Sequence, residues 1–292
     1  MGGTIRRNAL HDPLDSVFWI VYNSNQNEAL IQLCRFHKVV FDRLAELITP
    51  LFYKYIPHAE KIVAVRKTGR KRILNAHSYL GLVLAWLYSR GTLKHICWML
   101  GLVKSQASIW LCFGKRIVTH ALLKNNLAKV KMPTDNEAYV YSGMIQRQHP
   151  TLEQVWGTMD GVYIDLQICG DHPKQAMYYN KWQAKHYITN LFVFSPDGKI
   201  CACMFNIPGT IHDSRMAHMS GIYNKIKEVY ERTGCRVFGD SAFAGKDKPY
   251  ILKLYQKNWT PQMLPRYSYE VFRAAVSLHQ SAEWGMRELK GS

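Results

Sequence analysis

The sequence lacks the features of a membrane protein, a secreted protein or a zinc cluster. Its longest apolar run, "LGLVLAWLY" from Leu80, has about half the length that a membrane span requires. No secretory signal is visible at the start of the sequence. The seven cysteines are scattered and include no CxxC pair. This pattern argues against a disulfide framework or a zinc cluster, and it favours a reducing compartment.

Acidic residues are scarce, and their scarcity is uneven. The chain has 38 Lys and Arg residues against 21 Asp and Glu, a net charge of +17. Residues 1–150 hold 21 basic and 8 acidic residues, whereas residues 151–292 hold 17 and 13. The basic front half predicts a region that binds a polyanion, and the nearly balanced rear half predicts a separate catalytic region. A surface that only confers solubility is the alternative.

The front half is predicted to be helical and to bind DNA. Residues 1–60 carry apolar residues at helical spacing, and residues 61–149 contain a basic linker followed by further helices. Within them, a short helix, a turn at Gly101 and a helix capped by Ser105 have the layout of a helix-turn-helix. An ordinary helical hairpin is the alternative. The predicted DNA contacts are Arg66, Lys67, Arg70, Lys71, Arg72, Lys104, Ser105, Gln106, Ser108, Lys115 and Arg116.

The rear half, residues 150–292, is predicted to be a mixed α/β domain. It contains five β-rich runs: "VWGTM", "VYIDL", "HYITNLFVF", "KICACMFNI" and "CRVFG". One long helix, which ends at Gly234, lies between the fourth and the fifth run. A closing helix follows the fifth. The dipeptide at Asp197 and Gly198 predicts a hairpin turn.

Three carboxylates in this half are candidate metal ligands. Asp160 follows one β-rich run, Asp240 follows another, and Glu283 lies in the closing helix. If the two strands are neighbours, the carboxylates converge, and such a cluster repels itself unless a cation binds between them. Carboxylate oxygens select Mg²⁺ or Mn²⁺, which support phosphoryl transfer. Taken singly, each aspartate could instead form a turn, and Glu283 could be an ordinary surface charge.

Four blocks in the rear half resemble DDE transposases of the PIF/Harbinger type and the nucleases derived from them. They are "GTMDGVYIDL", the long block from "YYNKWQAKH" to "GTIHDSRM", "VFGDSAFAG" and "SAEWGMRELKGS". The resemblance implies an RNase H-like catalytic fold, preceded by a helical DNA-binding region. It implies catalytic roles for Asp160, Asp240 and Glu283. Asp213 is a further candidate ligand, with capping of the following helix as the equal alternative.

The resemblance also implies a substrate and partners. The substrate is duplex DNA at transposon ends and at a target site, and the metal is Mg²⁺ or Mn²⁺. A separate Myb-like DNA-binding protein is an implied partner, a homo-oligomer is left open, and no membrane is involved. We expect the protein in the nucleus, with the cytoplasm as the alternative. Lys181 and Lys185 are candidate phosphate contacts, and Trp182 could stack on an unpaired base or pack against the sheet.

The sequence departs from the family pattern at two places. Because of these departures, functions other than an active transposase remain as alternatives. Val162 and Tyr163 follow Gly161 where relatives place a polar pair, and the sequence ends at Ser292 within the glutamate-bearing helix. We therefore expect a C-terminally truncated copy or a partial gene model. The alternatives are an inactive or domesticated copy that binds DNA or protein, and an unrelated hydrolase of small phosphate esters. The basic front half argues against the hydrolase.

Overall fold

The chain folds into two compact units, a front unit that ends at Lys129 and a rear unit that begins at Val130. The structure is a computed structural model. It describes residues 10–56, 72–88, 92–167, 170–240, 242–243, 247–253, 270–271, 273–278 and 280. The rear unit begins ahead of the predicted boundary at residue 150.

The front unit is helical in its described residues. Its helices are α1 Val17–Asn23, α2 Asn27–Cys34, α3 Lys38–Lys54, α4 Ala76–Tyr88, α5 Leu93–Met99 and α6 Lys104–Lys124. Members of all six pack into a single hydrophobic core. Helices from the predicted regions 1–60 and 61–149 therefore form one unit, because the mostly buried α4 packs against both α3 and α6. The side chain of Asn75, just before α4, accepts a hydrogen bond from the Ser78 amide at 2.8 Å.

The predicted short helix, glycine turn and long helix are present as α5, Gly101 and α6. The two helices meet at 95°, and Gly101 has a φ of +63°. A Cβ there would lie 2.5 Å from the His11 carbonyl oxygen, so the turn requires glycine. The predicted cap at Ser105 is wrong, because α6 begins at Lys104 and Val103 precedes it as the capping residue. Use of this pair to read DNA stays a prediction.

No single helix among the described residues is long and apolar enough to cross a membrane. The pair α5 and α6 would meet that requirement only jointly, by length and composition.

The rear unit is a mixed α/β structure. Its elements are α7 Asp135–Gln148, β1 Val155–Asp165, α8 His172–Tyr178, β2 Tyr179–Asn180, β3 Lys185–Phe194, β4 Ile200–Pro208, α9 Asp213–Met219, α10 Ile222–Thr233, β5 Arg236–Gly239 and β6 Ile251–Lys253. The strands form one sheet in the order β2-β3-β1-β5-β6, with β4 also paired to β3. Strand β1 pairs antiparallel with β3 and parallel with β5. This mixed sheet is compatible with an RNase H-like fold.

Three features of the rear unit differ from the sequence predictions. Helix α7 belongs to this unit and starts at a capping box between Thr134 and Glu137, a pattern that fixes a helix start locally. The runs "VWGTM" and "VYIDL" form the single strand β1, because β3 pairs continuously along it. The predicted long helix is two helices, since Gly221 has a φ of +69° and separates α9 from α10. The predicted stop at Gly234 is confirmed.

Candidate active site

Asp160 lies in β1, and Asp240 directly follows β5, the parallel neighbour of β1. The last paired residues of β1 and β5 are Met159 and Gly239, and each aspartate comes directly after them. The sequence prediction that the two strands are neighbours is therefore confirmed. Asp160 is not at a strand end as predicted, because β3 continues to pair with β1 as far as Asp165. It is β5 that ends, at Gly239.

Strand alternation places Asp160 on the same face of the sheet as Phe238. Thr158 pairs with Phe238, and Asp160 lies two residues further along β1, so it shares the face of that pair. Asp240 comes directly after the end of β5. Phe238 is fully buried in a cluster with residues of α7 and of the closing helix. The closing helix, helical at its described residues between 270 and 280, thus packs on the face that carries Asp160.

The closing helix packs through apolar residues at helical spacing where the structure describes it. Ala275 and Leu278 are buried in the Phe238 cluster, and Val271 and Ala274 pack against it. Glu283 and Glu288 lie outside the described residues. The role of Glu283 as a ligand stays a prediction.

Asp213 approaches the opposite face of β1. It is the first residue of α9, and the cap of that helix is His212, whose ring accepts from the Ser214 amide at 3.3 Å. The capping alternative for Asp213 is therefore wrong. Its Oδ2 instead accepts a hydrogen bond from the Tyr163 hydroxyl at 3.0 Å. A Cβ at Gly161 would lie 3.1 Å from the same oxygen, so the glycine leaves the space that the carboxylate occupies.

The surroundings of Asp213 disfavour its ionised form. Burial raises the pKa of Asp213; the hydrogen bond from Tyr163 and the nearby His212 oppose this shift, and the negative charge of Asp240 adds to it. Burial also raises the pKa of Tyr163, and the charges of Asp213 and Asp160 raise it further. Asp240 is thus near enough to Asp213 to disfavour the ionisation of Asp213, a cost that a bound cation relieves.

Three residues that support this site were not among the predicted site residues. Tyr163 holds Asp213, as described above. The Tyr223 hydroxyl lies 3.0 Å from the Ser214 hydroxyl and donates to the Phe243 carbonyl at 3.0 Å, so α10 links α9 to the segment that follows Asp240. Lys248 places its ammonium group 4.2 Å from the centre of the Tyr223 ring. Of the three, only Tyr163 stands out in the sequence, because Val162 and Tyr163 follow Gly161 where relatives place a polar pair.

The donor chemistry fits a hard divalent cation. Asp160, Asp240 and Asp213 offer only carboxylate oxygens, which Mg²⁺ and Mn²⁺ prefer. Among the described residues, no three His, Cys, Asp or Glu side chains are already arranged around a common metal position. Two strand-anchored carboxylates are present, and the third predicted ligand, Glu283, is outside the described residues.

Tyr163→Phe tests the contact that holds Asp213. The substitution removes the hydroxyl and leaves a largely buried carboxylate without its donor. We expect the free energy of unfolding in metal-free buffer at neutral pH to fall by about 1–3 kcal/mol, as measured by urea denaturation. Tyr187→Phe is the matched control, because the Tyr187 ring packs 4.9 Å from that of Tyr163 without donating to Asp213. Equal losses in the two variants would contradict the assignment.

The predicted DNA contacts of the front unit differ in their exposure to solvent. Lys104, Ser105, Ser108 and Lys115 are exposed, whereas Gln106 and Arg116 are half-buried. Lys115 lies over the ring of Trp86 at 4.7 Å, and Arg116 donates to the Cys112 carbonyl. Arg66, Lys67, Arg70 and Lys71 lie outside the described residues. For all of these, DNA contact stays a prediction.

Arg72 makes contacts within the front unit. Its guanidinium donates to the carbonyls of Phe52 and Tyr55 at the end of α3 and lies 4.6 Å from the Phe52 ring centre. Cations at helix C-termini are stabilising, so these contacts account for the position of Arg72 without a nucleic acid. Its predicted DNA contact is also untested.

Lys181 and Lys185 lie in and beside the turn between β2 and β3, and both are exposed. The Lys185 ammonium is 3.8 Å from the carboxylate of Asp165. Trp182, between the lysines, is 94% exposed. The alternative in which Trp182 packs against the sheet is therefore wrong.

Residues 159–292 match the family model described as DDE superfamily endonuclease. The match begins one residue before Asp160 and spans both strand-anchored aspartates and Asp213. It supports the DDE superfamily and a nuclease- or transposase-like function, for which DNA is the substrate and divalent metals are the usual cofactors. It does not distinguish the PIF/Harbinger type. No curated protein and no solved structure matches the chain significantly.

Proposed function

We propose that this protein is a metal-dependent DNA endonuclease of the PIF/Harbinger transposase type, which cuts and joins phosphodiester bonds at transposon ends. The observation that carries the proposal is the register of β1 and β5. It makes the strand that contains Asp160 and the strand that leads to Asp240 parallel neighbours, and both aspartates lie in the segment that matches the DDE endonuclease family.

The residues have distinct roles in this proposal. Asp160, Asp240 and Glu283 would hold Mg²⁺ or Mn²⁺, and the metal would supply activation of a water molecule or a 3′-hydroxyl and stabilisation of the leaving oxygen. Asp213, on the opposite face of β1, is not part of this set. Tyr163 orients Asp213 by its hydrogen bond, and Tyr223 steadies the segment after Asp240. The buried Phe238 cluster fixes the strand and the helix that bring the acidic residues together.

The same proposal covers the partners and the location of the protein. The basic front half, with 21 Lys and Arg against 8 Asp and Glu over residues 1–150, binds duplex DNA through phosphate contacts. We place the protein in the nucleus, with a separate Myb-like DNA-binding protein as its partner.

The closing helix provides the test. DNA that binds the full chain is selected from a random duplex pool, and its cleavage is followed with Mg²⁺ and with EDTA. We expect Glu283→Gln to abolish cleavage and leave binding intact. Glu288→Gln should change little, because five residues rotate a helical side chain by about 140°. Loss of cleavage in Glu288→Gln alone would overturn the ligand assignment. A chain that binds DNA and never cleaves it would be a non-catalytic binding protein.

A further inference from the structure

The turn between β2 and β3 presents the most exposed large hydrophobic side chain of the described residues, Trp182 at 94%. A single exposed apolar residue needs no explanation by itself. Trp182 differs from such a residue in three ways: hydrogen bonds hold its turn in place, contacts connect the turn to Asp213, and two lysines lie beside the ring.

The side chain of Asn180 makes two hydrogen bonds that hold this turn in place. The Asn180 side-chain oxygen accepts from the Gln183 amide at 3.1 Å, which closes the turn around Trp182. Its Nδ2 donates to the Gly209 carbonyl at 2.6 Å, which anchors the turn to the segment before α9. Asn180 also pairs with Lys185 across the two strands. The backbone that carries Trp182 is therefore held in place, so less of the turn has to be ordered on binding.

A short series of contacts joins this turn to the acidic site. The Gly209 amide donates to the Tyr187 carbonyl at 3.0 Å, and a Cβ on Gly209 would lie 2.7 Å from the Tyr187 ring. The Tyr187 ring in turn packs at 4.9 Å on that of Tyr163, whose hydroxyl donates to Asp213. Every link is a direct contact, so the turn is connected to Asp213 within the rear unit.

The charges beside the ring suit a nucleic acid strand. Lys181 is next to Trp182 in sequence, and Lys185 is at the end of the same turn. The pair of Lys185 with Asp165 is exposed on both sides, and such pairs are weak, so a phosphate can compete for the lysine. A flat aromatic ring with flanking cations is what binding of unpaired bases requires, because the ring stacks on the base while the cations bind phosphates.

We propose that Trp182 stacks on an unpaired base of the DNA strand that enters the acidic site, while Lys181 binds an adjoining phosphate. A base within a duplex is stacked on both faces, so the site takes a base that is unpaired or displaced from the helix. The proposal rests on the proposed function for the identity of the substrate. It goes further in stating which structural state of the DNA the enzyme prefers near the bond it cuts.

The test uses the full chain and two duplexes of the same sequence, one carrying an unpaired 2-aminopurine and one carrying it paired. Binding is measured by anisotropy and stacking by quenching of the 2-aminopurine fluorescence, both in EDTA. We expect Trp182→Ala to weaken binding of the unpaired duplex about tenfold and to abolish the quenching. Binding of the paired duplex should change less than about twofold. Trp182→Tyr should restore most of both signals.

The controls separate stacking from charge. Tyr139→Ala removes another exposed aromatic ring of the rear unit, 54% exposed, and should leave both signals unchanged. Lys181→Ala should weaken both duplexes alike and reduce the slope of log K against log salt by about 1. If Trp182→Ala weakens the two duplexes equally or not at all, the stacking proposal is overturned.

The outcome is independent of cleavage. Because stacking is measured without metal, a protein that shows the quenching and never cleaves DNA with Mg²⁺ overturns the proposed endonuclease and keeps the stacking site. A protein that cleaves normally while Trp182→Ala leaves quenching intact does the reverse.

Discussion

Asp160→Asn and Asp240→Asn should each reduce metal-dependent DNA cleavage by about a thousandfold or more. Each substitution removes the charge of one strand-anchored ligand and keeps its shape. The metal contributes several kcal/mol of transition-state stabilisation, and each 1.36 kcal/mol is a factor of ten in rate. Cleavage rates of the selected duplex under saturating protein give the measurement, with DNA binding in EDTA expected to stay within about twofold of the unsubstituted protein.

The matched control for these two variants is Asp165→Asn. Asp165 ends the same strand β1 and is exposed, with Lys185 as its ion-pair partner. Its substitution removes a carboxylate from the strand but not from the site, so we expect cleavage to stay within about twofold. The double variant of Asp160 and Asp240 should be no worse than either single variant, because residues that act as a unit are not additive. Normal cleavage in either single variant would exclude the proposed site.

The main elements of the rear unit could be predicted from the sequence, because their signals are local. β-rich apolar runs mark β3 and β4, and Gly198 marks the turn between them with a φ of +81°. The strand-then-aspartate pattern at Asp160 and Asp240 correctly implied neighbouring strands. The position of Asp160 inside β1 could not be predicted, since it depends on how far β3 and β5 pair with that strand.

The contacts around the candidate site are long-range, and sequence patterns do not encode them. Tyr163 and Asp213 are 50 residues apart in the chain, and Asn180 is bonded to Gly209 across 29 residues. Composition also misleads at Trp182, because most tryptophans are largely buried. Only the fold reveals that the turn between β2 and β3 holds this ring in solvent.

Phe238→Ala should have the largest effect on stability of any change near the site. Phe238 is fully buried in β5, two residues before Asp240, and packs with Val155 of β1 and Leu278 of the closing helix. Removing a buried phenylalanine side chain costs about 3–5 kcal/mol, since the cavity is not refilled. That is a large part of the roughly 5–15 kcal/mol that stabilises a typical domain. Urea denaturation followed by tryptophan fluorescence gives the measurement.

Phe205→Ala provides the same chemical change at an exposed position. Phe205 lies in β4 and is 54% exposed, so its loss should cost less than about 1 kcal/mol. Phe238 links the strand that leads to Asp240 with the helix that leads to Glu283, so its truncation should also abolish cleavage at urea concentrations that the Phe205 variant tolerates. If the two variants are equally stable, the closing helix does not depend on the Phe238 cluster. The structural support for Glu283 as the third ligand would then be lost, even if Asp160 and Asp240 remain essential.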